Sequence, residues 1–133
     1  MKRYIFSLLL LLLIFTVSCA PKNTDSAKDR MTNKGYNVEV YTTEKQTQAY
    51  NDLYDIEGCK AVITAFKNSG TTFTDYCNII LFDTTSHAKE ALQRIKDVSN
   101  KSEIKDDTVY DIKRSGKWIY YGSEQGMKDF INQ

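Results

Sequence analysis

From Tyr36 onward the spacing of apolar residues changes along the chain, and each change marks an element. Asn37-Val38-Glu39-Val40-Tyr41 alternates with a period of two and predicts a short strand. Thr43 and Gln46 have the spacing of a capping box, in which a hydroxyl accepts from the amide three residues on while the glutamine reaches back. Ala49, Tyr50, Leu53 and Ile56 follow at helical intervals and predict a helix that Gly58 ends. Residues 59–67 and 72–83 are rich in β-branched and aromatic side chains and flank Asn68-Ser69-Gly70-Thr71, which predicts an antiparallel hairpin. Ala88, Ala91, Leu92, Ile95 and Val98 share one face of a second helix begun at Thr84 or Thr85, with Lys89, Glu90, Arg94 and Asp97 directed away from it. Asp83 beside its first turn suits the positive end of the helix dipole. A second hairpin, 108–114 and 117–121, turns at Ser115-Gly116. A two-residue turn there sets Ile112 against Ile119 and Tyr110 against Tyr121, with Trp118 and Tyr120 on the opposite side. Ser123 then caps a short helix carrying Met127, Phe130 and Ile131.

The order β-α-β-β-α-β-β-α predicts one α+β domain over residues 36–133: an antiparallel sheet of about five strands with helices packed across one face. The order is similar to the ferredoxin-like element order with an extra hairpin. That is a resemblance of order alone and transfers no function.

The polarity changes abruptly upstream. Residues 20–35 hold one apolar residue of any size, Met31, among charges and amides, and predict a flexible tether. A coil of about 15 residues spans roughly 20 Å. Before it comes a run of opposite character, with Lys2 and Arg3 followed by apolar residues from Ile5 to Val17. A positive end and an apolar stretch closed by the small residue Ser18 make an export signal. The unbroken apolar core from Leu8 to Phe15 falls short of the roughly 20 residues of a spanning helix.

Thr16-Val17-Ser18-Cys19 resembles the lipobox of bacterial lipoproteins, an aliphatic residue, a small or aliphatic one, a small one and then cysteine. Thr16 stands where an aliphatic residue is usual. An ordinary secretory signal cut near Ala20 also fits the small residues at Ser18 and Ala20. The resemblance covers the leader only. It implies a type II signal peptide over residues 1–18, cleavage between Ser18 and Cys19, and a thioether-linked diacylglyceryl group on Cys19, usually joined by a third acyl chain. At about 0.8 kcal/mol per buried methylene, one chain binds marginally and two anchor stably. The implied setting is the extracytoplasmic face of the cell membrane. Ala20 carries no aspartate-type retention signal, which leaves an outer-membrane location open in a two-membrane cell.

Charge and composition narrow the function. Loss of Lys2 and Arg3 removes two of the 18 basic residues against 17 acidic ones, so the formal net charge of +1 falls to about −1. A nucleic-acid binder is expected to carry a basic stripe, and none is present. His87 is the single histidine, and its neighbour Ser86 on the same turn points elsewhere, so no nucleophile–base pair is expected. Asp106, Asp107 and Asp111 form no calcium loop, no metal-ligand motif occurs, and the six glycines are dispersed singly; no metal and no cofactor are expected. With Cys19 assigned to lipid, Cys59 and Cys77 remain as an even pair for which a disulfide is admissible in an oxidising compartment, although a two-residue turn at Ser69-Gly70 sets Cys59 opposite Ile80; the other reading is two buried free thiols acting as small hydrophobes. Trp118 and Tyr120 are the candidate binding surface, because exposed aromatic residues contribute large area at low entropy cost; the other reading is scaffolding, since tyrosine forms strands well and its half-buried ring covers sheet edges.

The expectation is a non-catalytic, lipid-anchored domain that binds a protein, a peptide or an envelope polymer. The alternative is a carrier of a small apolar or aromatic ligand held between the sheet and the first two helices.

Overall fold

The computed structural model describes residues 20–101 and 111–132. The leader, Cys19 and residues 108–110 of the predicted second hairpin lie outside the described residues, as do Asp106 and Asp107. Strands β1 (Asn37–Tyr41), β2 (Cys59–Ser69), β3 (Thr72–Phe82), β4 (Lys113–Ser115) and β5 (Trp118–Gly122) form one sheet in the order β1-β2-β3-β5-β4, with every pairing antiparallel. The helices are α1 (Thr24–Asn33), α2 (Glu44–Tyr54), α3 (Thr85–Lys101) and α4 (Glu124–Ile131). The α+β class, the five antiparallel strands and the order of elements from β1 onward are those the residue pattern predicts. The all-antiparallel ladder differs from the split βαβ pairing of a ferredoxin-like core.

Helices cover both faces of the sheet rather than one. The strand period of two sends Ile63, Ala65, Cys77, Ile79, Trp118 and Tyr120 to one face, where α1 and α4 close over them with Ala27, Met31, Met127 and Phe130. Ile80, Phe82, Ile119 and Ile112 face the other way, beneath Ala88, Ala91 and Ile95 of α3. An open sheet with apolar side chains on both faces needs both covered. The expectation of one covered face failed because α4, itself expected, packs on the face opposite α3, and because it left out a helix that lies beside α4.

That helix is α1, in the stretch read as a tether. Asn23 caps it, its side chain accepting from the Ser26 amide at 2.8 Å. Ala27 and Met31, four residues apart, lie on one face and are fully buried. The polar side chains of α1 are also used: the Arg30 guanidinium donates to the Phe130 carbonyl at 2.7 Å, and the Lys34 ammonium donates to the carbonyls of Asp129 and Asn132 at 2.9 and 2.5 Å. Tyr36, just past the helix, donates to Asp129 at 2.7 Å, with the Lys67 ammonium 4.4 Å from its ring centre. Residues 20–35 therefore belong to the folded domain, which does not begin at 36.

Elsewhere the differences are local. The β4–β5 turn is Gly116-Lys117, pairing Lys113 with Tyr120. This is a shift of two from the predicted register, and it preserves the face of every side chain because the strand period is also two. The capping box of α2 is present, with Thr43 accepting from the Gln46 amide and Gln46 accepting from the Thr43 amide. The helix stops at Tyr54, where Asp55 adopts a left-handed φ of 53°, and it turns inward the stripe of Thr47, Tyr50 and Tyr54, not Ala49 and Leu53. Among the described residues, no helix is long and apolar enough to cross a membrane.

Candidate functional site

Trp118 and Tyr120 are not a surface. Both are buried, at 3% and 6% exposure, and they pack on Phe130 with ring centres 5.6 and 5.1 Å away. The Trp118 indole N–H donates to the carbonyl of Pro21 at 2.8 Å. Pro21 is buried and Ala20 packs against the same cluster, so the first described residues are part of the core. The assignment of Trp118 and Tyr120 as a binding face is corrected: Phe130 of α4 and the segment at Pro21 cover the face the hairpin was expected to leave bare.

Cys59 and Cys77 are buried free thiols, so of the two readings, a bridge or buried thiols, the structure has the second. Cys77 lies opposite Ala65 in the cluster under α1 and α4, whereas Cys59 lies opposite Phe82 in the cluster under α3. An irregularity between Cys59 and Ala61 turns Cys59 to the far face, so the body of the sheet separates the two sulfurs. Burial pushes the Cys59 thiol up to about 11 and the Cys77 thiol up to about 12. Neither is a nucleophile at neutral pH.

His87 does find partners. Its Nδ1 lies 2.6 Å from Asp83 Oδ1, one helical turn back, and its Nε2 lies 3.6 Å from Glu57 on the loop before β2. Thr84 starts this turn, its hydroxyl accepting from the His87 amide at 3.1 Å. Gly58 makes the approach of the loop possible. Its φ is +82°, and a Cβ there would come within 2.3 Å of Asp83 Oδ1 and 2.5 Å of His87 Nδ1. The hydrogen bond to Asp83 lifts His87 above its ordinary value despite some desolvation, and Glu57 adds to the effect. The bond from His87 in turn holds Asp83 below the usual carboxylate range. An imidazole set between two carboxylates is a clamp across the loop and the start of α3.

Beside the clamp, α2 and α3 border an open cleft of about 570 Å³ whose lining includes Asp52, Asp55, Glu57, Glu90 and Arg94, with Ile56 as its apolar member. Arg94 lies 3.8 Å from Asp55. Such a lining is too polar for the apolar or aromatic cargo of the carrier alternative. Behind it the Tyr50 and Tyr54 rings meet at a 45° tilt with centres 4.9 Å apart, and burial, with Tyr121 and Tyr54 close by, pushes the Tyr50 hydroxyl well above its ordinary value. No group of three or more His, Cys, Asp or Glu side chains placed to hold a metal ion occurs among the described residues.

Among the described residues, the exposed aromatic site is elsewhere. β2 and β3 pair as far as Ser69 and Thr72, whereas β1 ends its pairing at Phe66 and β5 at Cys77. The outer part of the hairpin therefore extends past its neighbours as a two-stranded ribbon. Phe73 on that ribbon is 66% exposed and meets Phe66 edge to face at 5.7 Å. The sequence reading missed this pair, and the only available signal was the length of the two apolar runs relative to β1. Comparison of the chain with protein-family models, curated proteins and solved structures gives no match.

Proposed function

We propose that this chain is a lipoprotein, exported and acylated at Cys19, whose domain is non-catalytic and works by binding a protein or peptide at the cell envelope. What supports the anchor is the leader's resemblance to one cut before Cys19, and Pro21, two residues further on, is already buried in the folded domain.

The binding part of the reading rests on the β2–β3 ribbon. Its outer strand edges are free of β1 and β5, and an exposed strand edge is a template for an added polypeptide strand. Phe73 and Phe66 add an aromatic contact beside that edge.

Two measurements test the proposal. Metabolic labelling with an alkyne fatty acid should tag the protein in the membrane fraction, and Cys19→Ala should abolish the label and accumulate precursor. Recovery of the intact, unacylated chain from the cytosol overturns the anchor. A photo-crosslinking residue at Phe73 should give adducts with envelope proteins, whereas the same residue at Lys89, exposed on α3, should not. Equal yields from both positions remove the ribbon as the binding element.

A further inference from the structure

The indole of Trp118 determines how the domain stands on its anchor. Pro21 is two residues from Cys19, and a fully extended chain covers at most about 3.6 Å per residue. The acylated residue therefore lies within roughly 7 Å of a backbone position held by Trp118. This leaves no room for the swing of a coil tether, which would need about 15 free residues to reach 20 Å.

Trp118 marks one end of the sheet. It pairs with Leu81 and Ser115, and the Phe82 amide next to this pair donates to the Lys117 carbonyl at 2.9 Å. The Asp83 amide donates to Gly58 at 2.9 Å, which brings the clamp around His87 to the same end. Phe73 is eight residues along β3 from Leu81, about 26 Å away at roughly 3.3 Å per residue. α1 runs the same way, from Asn23 near Trp118 to Tyr36 beside the Asn37–Phe66 pair.

Resting on the lipoprotein reading, we infer that the Trp118 end of the sheet lies against the phospholipid headgroups, with the Gly116-Lys117 turn and Lys22 as its contact surface, and that the Phe66–Phe73 ribbon is held outward. Lys22 and Lys117 are both exposed there and carry the charge that headgroup phosphates attract. The fold thereby acts as a rigid spacer: the anchor enters at one end of the longest strand pair, and the free strand edges leave at the other.

The test uses the acylated full-length protein in vesicles of phosphatidylethanolamine and phosphatidylglycerol that contain a headgroup nitroxide lipid. A fluorophore is placed on Lys117→Cys or on Thr72→Cys, both at exposed positions, with the buried Cys59 and Cys77 left in place. Unchanged emission of Trp118 confirms that each variant is folded. Quenching at position 117 should exceed that at position 72 several-fold, and a ten-residue Gly/Ser insert between Cys19 and Ala20 should remove the difference. Equal quenching at both positions, or stronger quenching at 72, overturns the orientation. The mass of the Cys19 peptide separates the two ideas. A diacylglyceryl adduct together with equal quenching defeats the orientation alone, whereas an unmodified cysteine defeats the anchor, and the orientation with it.

Discussion

Met31→Ala removes the side chain that holds α1 to the sheet. Met31 is fully buried among Ala27, Tyr36 and the strand residues Ile63 and Cys77, so the truncation deletes three heavy atoms from a packed site. At about 0.8 kcal/mol per buried methylene the transfer part is roughly 2 kcal/mol, and the residual cavity raises buried Met-to-Ala changes to about 2–5 kcal/mol. For a domain whose whole stability is on the order of 5–15 kcal/mol, that is a large share. With a urea slope of about 1–3 kcal/mol per M, the unfolding midpoint should fall by on the order of 1–2 M. The assay is equilibrium urea unfolding of the chain from residue 20, followed by the emission of Trp118, the single tryptophan of the protein. Met31→Leu conserves volume and should cost less than about 1.5 kcal/mol. If Met31→Ala shifts stability by less than about 0.5 kcal/mol, as a surface substitution would, residues 20–35 are a tether after all. The orientation argued from Pro21 then fails too.

Three further outcomes follow from particular contacts. Gly126→Ala should destabilise the protein, although alanine is favoured over glycine in helices by about 1 kcal/mol, because a Cβ at Gly126 would come within 2.1 Å of the Tyr76 carbonyl oxygen; a gain in melting temperature contradicts this packing of α4 on β3. Cys59 and Cys77 should resist thiol reagents in the native state and give two thiols without reductant once the protein beginning at Ala20 is unfolded, whereas loss of 2 Da from the intact mass, the mark of a disulfide, refutes their separation by the sheet. His87 is raised above its ordinary value of 6.5, so its contribution to stability is complete below that pH and is lost as pH rises through the folded-state value; Asp83 is lowered, so its contribution is lost only as pH falls below the usual carboxylate range. The difference in melting temperature between the parent and His87→Gln should therefore be largest on the acid side of neutrality and shrink as pH rises past 6.5, and a difference constant from about pH 5 to 9 dismisses the clamp.

Several elements were legible because their signals are local. The capping box at Thr43 and Gln46 is made within one turn, and the face of α3 with Ala88, Ala91 and Ile95 repeats often enough to be read without partners. The alternation of β5 also placed Trp118 and Tyr120 correctly on one face and Ile119 and Tyr121 on the other. That alternation could not say what covers each face. α1 offers only Ala27 and Met31 as apolar residues, too few for a hydrophobic period to stand out. Its other fastenings, Arg30 to the Phe130 carbonyl and Lys34 to Asp129 and Asn132, join residues about a hundred positions apart.

The order of strands and helices and the Asn/Thr/Ser residues available for helix caps were determined by the chain itself, because backbone propensity and side-chain period act over a few residues. The burial of Trp118, the separation of Cys59 from Cys77, the clamp of His87 between Asp83 and Glu57, and the exposure of Phe73 were decided by tertiary structure. Each depends on which segment fills the space above a sheet face or at its end, and that competition is settled by packing between parts of the chain that no short window contains.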